Sequence, residues 1–386
     1  MKKNLLYAIL GVAFTAGLSS CADNKELDLT EFTNGAFDRW MEKYHPNVDR
    51  LESGMYIEWI ERNPNGKSLN EGYFMSLNYT GRDQNGDFYL TRNKDVAQQV
   101  GFHKDWTHYV PEYTGYTPSS AYSTSYYNNY GYGSGYGSGY GGSYSSSTYY
   151  SSSYPIGAWQ ALRMMNEGDS VRLYIPPTLA YDSSGFSNSD KNNGYSPYMQ
   201  LSASLGLIFE MRLSEVVKDP FLREREMVEQ YAVDSLGVTS LADSIAMGTY
   251  FKLLESNPEG EQVTETTMID AWYTGRFLDG FIFDTNIDSI ATKNGTYISP
   301  SNNNNIDKYV ALEFNPSDDA IYVKGFIQAF RHMRNGERAR VVMVSGMGYG
   351  LEGSTSGLTV IPPYTPLVFD LYVGAVEETD TDEEDE

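Results

Sequence analysis

"GMYIEWIERNPNGKSLNEGYFMSLNYTGRDQNGDFYLT", residues 54–91, returns later in the chain as "GTYFKLLESNPEGEQVTETTMIDAWYTGRFLDGFIFDT", residues 248–285. The two align without a gap. Gly54 meets Gly248, Tyr56 meets Tyr250, "NPNG" meets "NPEG", and "YTGR" stands in both, at Tyr79 and Tyr273. Self-similarity over this length marks a duplicated unit and sets the domain plan before any local reading. A second block also repeats, at a different offset: "GAWQALRMMNEGDSVRLYIPPTLAYDSSG" from Gly157 and "GFIQAFRHMRNGERARVVMVSGMGYGLEG" from Gly325. The first copy is therefore longer between its blocks. The tract "NNYGYGSGYGSGYGGSYSSSTYYSSSY", residues 128–154, falls in that gap and reads as an insertion in one copy rather than a linker between two.

Local patterns agree on an α+β fold. "YFMSLNYTGR" and "TMIDAWYTGR" alternate as strands do and end at a turn glycine. "GAWQALRMM" and "GFIQAFRHM" have apolar residues at helical spacing with a glycine just after. "LGLIFEMRLSEVV" and "PLVFDLYVGAVE" read as long closing strands. Many strands about one short helix make each copy an α+β unit. Between the copies, "DPFLREREMVEQYAVDSLG" has helical periodicity, with Pro220 suited to a first turn and Gly237 to an end; "FDRWMEKYHPNVDRL" is its counterpart before the first copy.

The chain of 386 residues has 28 Lys+Arg against 51 Asp+Glu, a formal charge of −23. Such a surface repels phosphate backbones, which argues against a nucleic-acid partner. The ending "EETDTDEEDE" reads as a solvated acidic tail. At the start, Lys2 and Lys3 precede an apolar run from Leu5 to Leu18, too short for a comfortable membrane span and fit for a secretory signal. The sole cysteine, Cys21, follows in "LSSC", which resembles the lipobox of bacterial lipoproteins. That resemblance implies a lipid anchor at Cys21, an outer-membrane lipoprotein, and an envelope location whose periplasmic or surface face stays open. With no second cysteine, stability must come from packing rather than disulfides.

The segment "GFIQAFRHMRNGERARVVMVSGMGYGLEGSTSGLTVIPPYTPLVFDLYVGAVE", preceded by "WYTGRFLDGFIFDT", resembles the FKBP-type peptidyl-prolyl cis-trans isomerases. The resemblance covers residues 248–377 and rests on an ordered set: "YTG", the "DG" and "FD" of the next strand, the helix at Gly325, "GYG" and "IPPYTPLVFD". It implies two tandem units, each a curved antiparallel β-sheet wrapped around a short α-helix, joined by a helical linker. The plan is a signal peptide over 1–21, a tether and short helix over 22–50, and a degenerate unit over 51–217 with the insertion at about 103–154. A linker over 218–247, the second unit over 248–377 and the tail over 378–386 complete it.

The resemblance also implies a site. Tyr273, Phe283 and Phe369 would line the cleft walls and Phe326 its floor, where the family more often has Trp. Val323 would offer its backbone N–H to a bound peptide. Tyr349 would hydrogen-bond a substrate carbonyl, Asp284 would face the twisting carbonyl, and Val360 and Ile361 would close the rim. No cofactor is implied. The segment "SIATKNGTYISPSNNNNIDKYVALEF" lengthens the family's short flap. In the first copy Tyr79, Tyr181 and Phe209 persist, but Tyr89 replaces the wall Phe, Leu90 stands at the carboxylate and Ala158 at the floor, with Trp159 displaced by one. The first copy is therefore expected to have little isomerase activity.

The expected function is an envelope isomerase and folding helper acting on proline-containing polypeptides through the second unit. The alternative kept beside it is a non-catalytic lipoprotein serving as a binding or scaffold subunit of an outer-membrane protein complex. His45, His103, His108 and His332 show no zinc spacing, and "GYGSGYGSGYGG" lacks the Lys-Ser/Thr of a phosphate loop. "DSL" and "DSI" resemble the acceptor of some bacterial O-glycosylation systems, which marks Ser235, Ser244 and Ser289 as candidates.

Overall fold

The computed structural model describes residues 29–116, 154–181, 186–188, 199–202, 204–299 and 307–374. Cys21, the tract up to residue 153 and the acidic tail lie outside the described residues.

Two antiparallel sheets share one strand order. In the first, β1 (Asp49–Arg50), β2 (Tyr56–Glu61), β6 (Ser170–Ile175), β9 (Leu207–Val217), β3 (Phe74–Asp83) and β4 (Phe88–Thr91) lie side by side, with β5 (Glu112–Gly115) also paired to β3. In the second, β10 (Thr249–Glu255), β14 (Arg338–Met343), β15 (Leu367–Val373), β11 (Ile269–Arg276) and β12 (Ile282–Thr285) follow the same path, with β13 (Leu312–Phe314) on β11. A short ribbon, β7 (Phe186–Asn188) with β8 (Met199–Leu201), stands apart. One short helix lies against the inner face of each sheet: α3 (Ile156–Leu162) and α6 (Lys324–Arg331). Their first-turn glycines set the approach. A Cβ at Gly157 would sit 2.9 Å from Ile175 and Met55, and one at Gly325 would sit 2.5 Å from Met343.

The repeated motifs have repeated physical causes. In "NPNG" and "NPEG" the asparagine amide donates to a carbonyl of the turn after the helix, Asn63 to Glu167 at 2.8 Å and Asn257 to Asn335 at 2.7 Å. In "YTGR" the threonines pair with a threonine across the ladder, Thr80 with Thr91 at 2.8 Å and Thr274 with Thr285 at 3.1 Å. The arginines enter an Arg–acid–Arg bridge on the outer face: Arg82 and Arg172 on Glu210, Arg276 and Arg340 on Asp370. The glycines face a bulge. Gly81 pairs with Leu90 and Arg82 with Phe88, so Tyr89 is the extra residue; Gly275 pairs with Asp284 and Arg276 with Ile282, so Phe283 is. A bulge re-aims a side chain, and here it lays a ring across each glycine.

Both sheets carry a helix on the outer face. α1 (Leu29–Tyr44) brings Phe37 and Met41 onto Tyr56, Tyr174 and Ile208. The helix between the copies, Pro220–Tyr231, continues in a π turn over Ala232–Leu236 and brings Val228, Ala232 and Leu236 onto Tyr250, Val342 and Val368. Two six-residue helices were not foreseen, α2 (Lys94–Gln99) and α5 (Asp288–Lys293). Both are too short and polar to show periodicity; Asn93 caps the first by accepting from the N–H groups of Asp95 and Val96. With these, the outer helix Pro220–Tyr231 is α4.

The insertion expected from about 103 begins later. Residues 112–115 form β5, the counterpart of β13, so the shared frame reaches Gly115. The turns before these strands also match: the Tyr109 hydroxyl accepts from the Lys104 N–H and the Tyr309 hydroxyl from the Ile298 N–H.

Glu224 of α4 is buried, 3% exposed, and accepts from the Ser345 N–H at 3.1 Å. Burial pushes its carboxyl up from the usual range. The folded state then favours the protonated acid. Stability from this group is present below the unfolded pKa and is lost as pH rises through the raised folded value. Glu224→Gln is therefore expected to match wild type in urea melts near pH 4 and to exceed it at pH 7. Equal stability differences at the two pH values would remove this reading.

Candidate functional site

The second cleft is built by four elements. β11 supplies Tyr273, β12 supplies Phe283 and Asp284, α6 supplies Phe326, and β15 supplies Phe369. Phe326 meets Tyr273 edge-on at 5.6 Å (87°) and Phe369 at 5.3 Å (72°) between ring centroids. Phe369 meets Phe283 at 5.7 Å (87°). Phe283, Phe326, Ile361 and Phe369 share one apolar cluster, with Tyr273 and Val323 against it. Val323 caps α6, its carbonyl accepting from Phe326 and Ile327. Val360 lies outside that cluster, 44% exposed, and Tyr349 is 38% exposed.

Polar groups are few. The Tyr273 hydroxyl donates to Asp284 Oδ2 at 2.7 Å, while Lys308 Nζ pairs with Asp284 Oδ1. Burial, then the Asp284 charge, holds the Tyr349 phenol above its usual value. Three neighbours escaped sequence reasoning. Lys308 sits in the lengthened flap, where no spacing points to Asp284. Phe314 of β13 stacks toward Phe326 at 6.2 Å, and Tyr322 lies 5.8 Å from it. The apolar alternation of "ALEF" was the only signal for Phe314.

The first cleft holds the same positions and closes on itself. Tyr79, Tyr89, Leu90, Ala158, Trp159 and Phe209 lie in one buried cluster, with Tyr181 against it. Ala158 leaves the floor without a ring. Tyr154, the last residue of the tyrosine tract, is 8% exposed and meets Tyr79 edge-on at 5.2 Å (84°) and Trp159 at 5.4 Å. It therefore lies against Tyr79 much as Phe326 lies against Tyr273. Tyr181, at the position of Tyr349, donates its hydroxyl to Tyr89 at 3.1 Å. The carboxylate lost at Leu90 is supplied from another strand: the Tyr79 hydroxyl donates to Glu112 of β5 at 2.5 Å, and Arg92 pairs with Glu112 at 3.6 Å. The rings and hydroxyls that a peptide would meet are already engaged with each other.

Ser235 lies in the π turn, Ser244 just beyond a 3-10 turn and Ser289 in the first turn of α5; all three are exposed.

Residues 259–373 match the family model for FKBP-type peptidyl-prolyl cis-trans isomerase. The Macrophage infectivity potentiator of Trypanosoma cruzi is 28% identical over 106 residues, which are 28% of this chain and 41% of that protein. The chain thus spans 41% of the length of that curated relative. Among solved structures, the peptidyl-prolyl cis-trans isomerase of Pseudomonas syringae pv. tomato is 26% identical over 41% of this chain and 94% of its own, with a TM-score of 0.29. FkpA of Escherichia coli is 20% identical over 40% of this chain and 58% of its own, also with a TM-score of 0.29. The three FKBP domains of wheat FKBP73 are 14% identical over 83% of this chain and 94% of their own, with a TM-score of 0.25.

Proposed function

We propose that the FKBP-type domain over residues 259–373 is a working prolyl isomerase and the first unit is not. The observation that carries this reading is the contrast between equivalent tyrosines: Tyr349 is 38% exposed, whereas Tyr181 donates its hydroxyl to Tyr89. The X–Pro barrier of about 18–20 kcal/mol comes from amide resonance, so no covalent step is needed. The proline ring enters the aromatic cup of Tyr273, Phe283, Phe326 and Phe369. Removing the amide from water favours the twisted, less polar form. Tyr349 donates to a peptide carbonyl and Val323 offers its N–H, which holds the chain on either side of the twisting bond. Asp284, already held by Tyr273 and Lys308, fixes the wall from which the carbonyl turns.

Tyr349→Phe is expected to lower kcat/KM for a prolyl peptide by about 10-fold, the value of one lost hydrogen bond in the transition state. Tyr181→Phe should leave kcat/KM within about 2-fold and lower stability by about 1 kcal/mol, because a buried hydroxyl loses its donor. Equal effects of the two on catalysis would reject the assignment of activity to the second unit.

The location proposed is the cell envelope, with Cys21 lipid-modified and the substrates proline-containing secreted or outer-membrane polypeptides. Uncatalysed isomerisation takes tens of seconds, which makes a tethered catalyst useful there. Labelling with radioactive palmitate should mark wild type and not Cys21→Ser; label on both would end the anchor proposal. The filled first cleft supports a second reading for that unit alone, as a structural module.

A further inference from the structure

We infer that residues 104–109 of the first unit, together with Tyr364, position the rim of the second unit's cleft. The first unit then serves prolyl-peptide binding at a site it does not contain. This inference rests on the isomerase reading of the second cleft.

The segment is braced within itself. The Thr107 N–H donates to the Lys104 carbonyl at 3.1 Å, and His103 stacks on Tyr109 at 5.3 Å. It then touches three loops of the second unit. The His108 ring lies 4.7 Å from Phe277 and 4.6 Å from Phe281, between centroids, in the turn joining β11 to β12. His108 Nε2 stands 2.7 Å from Asp279 Oδ2 in the same turn. At the exit of α5, Gly295 (φ +66) approaches Asp105 so closely that any Cβ would overlap its carboxylate. In the loop before β15, Thr359 donates its hydroxyl to the Trp106 carbonyl at 2.6 Å and is 4% exposed.

Two of these loops lead to the cleft. Phe277 packs on the wall residue Phe283 at 5.2 Å. Val360 and Ile361 follow Thr359, and Ile361 exchanges both backbone hydrogen bonds with Ser354 at 2.8 Å. The rim loop has a second anchor just beyond them. Tyr364 inserts its ring between Phe74 of the first unit, at 4.9 Å, and Phe221 of α4, at 5.1 Å. It is 7% exposed and adopts φ 51, a left-handed conformation that a non-glycine residue keeps only when its surroundings impose it. Val360 and Ile361 are thus held on both sides by the first unit. A loop fixed at two ends samples fewer positions, and binding then needs less ordering. His108 and Tyr364 are positioning residues, since neither belongs to the aromatic cup.

The test uses the full chain and a prolyl peptide, with kcat and KM measured separately, and amide hydrogen exchange at Ser354 and Ile361. His108→Ala and Tyr364→Ala should each raise KM by about 10-fold with kcat within about 2-fold, and both amides should exchange faster. His108→Phe and Tyr364→Phe, which keep the ring contacts, should restore KM. Thr359→Val, a mild change, should act in the same direction more weakly and guards against misfolding of the alanine variants. Unchanged KM with unchanged exchange overturns the inference, and so does a rise in kcat/KM, which would mean that the segment covers the cleft. If wild type itself shows no turnover, the isomerase reading fails; exchange unaffected by His108→Ala and Tyr364→Ala would then overturn the positioning as well.

Discussion

Phe326→Ala is expected to lower kcat/KM for a prolyl peptide by about 100-fold or more, a loss of about 2.7 kcal/mol in transition-state stabilisation. Phe326 touches two of the three wall residues from the helix side. Its ring lies within 5.6 Å of Tyr273 and 5.3 Å of Phe369, and it is backed by Phe330 at 4.9 Å. Its loss removes the surface on which the proline ring rests and leaves a cavity. The cavity should cost about 3–5 kcal/mol of stability, as buried Phe→Ala changes do. Phe326→Leu separates the two effects. It fills most of the volume, so stability should fall by only about 1 kcal/mol, while the flat floor is still gone and turnover should drop about 10-fold. Urea melts and a protease-coupled isomerisation assay on both variants decide this. A folded Phe326→Ala protein with wild-type turnover would mean that the cup does not bind proline.

Gly275→Ala should have the next largest effect. A Cβ there would lie 2.5 Å from the Phe283 ring and 3.0 Å from Phe369, two walls of the cup. Displacing either ring costs packing, because Phe283 is the bulged residue of β12 and Phe369 is packed on Phe326. Overpacking of this kind costs about 1–3 kcal/mol, and the displaced rings should narrow the cleft and reduce turnover by about 10-fold. Gly81→Ala is the matched control. Its Cβ would lie 2.5 Å from Tyr89, so the stability loss should be similar, but turnover should stay within about 2-fold. If Gly81→Ala lowers turnover as much as Gly275→Ala while both proteins remain folded, the division of labour between the units is wrong.

The two matched pairs, Gly275 with Gly81 and Tyr349 with Tyr181, are possible because the sequence repeats itself. Gly81 and Gly275 match in the repeat of residues 54–91 at 248–285, Tyr181 and Tyr349 in the block that repeats from Gly157 at Gly325, and the two sheets share one strand order. Strand alternation, turn glycines and the "NPxG" and "YTGR" motifs act over a few residues, so their physics is readable along the chain. Of the cleft, the structure gathers Phe283, Phe326, Ile361 and Phe369 into one cluster with Tyr273 and Val323 beside it, and leaves Val360 on the exposed rim.

What closes the first cleft was not readable in that way. Leu90 and Ala158 announced missing parts, but not that Glu112 would take the hydroxyl of Tyr79 from another strand. Nor did the tract mark Tyr154 as a residue that packs on Tyr79. Lys308 reached Asp284 from a lengthened flap, and His108 reached Phe277 and Phe281 from the other unit, with no shared period to connect them. The sequence by itself determined the duplication and the α+β plan, because periodicity and turn motifs are local properties; the aromatic set of the second cleft was an expectation from the resemblance of its ordered motifs to a known family. How the rings and hydroxyls of the first unit engage one another, and which segment of it meets the turn at Phe277 and Phe281, was decided only by tertiary structure, since those contacts depend on where distant side chains meet in space.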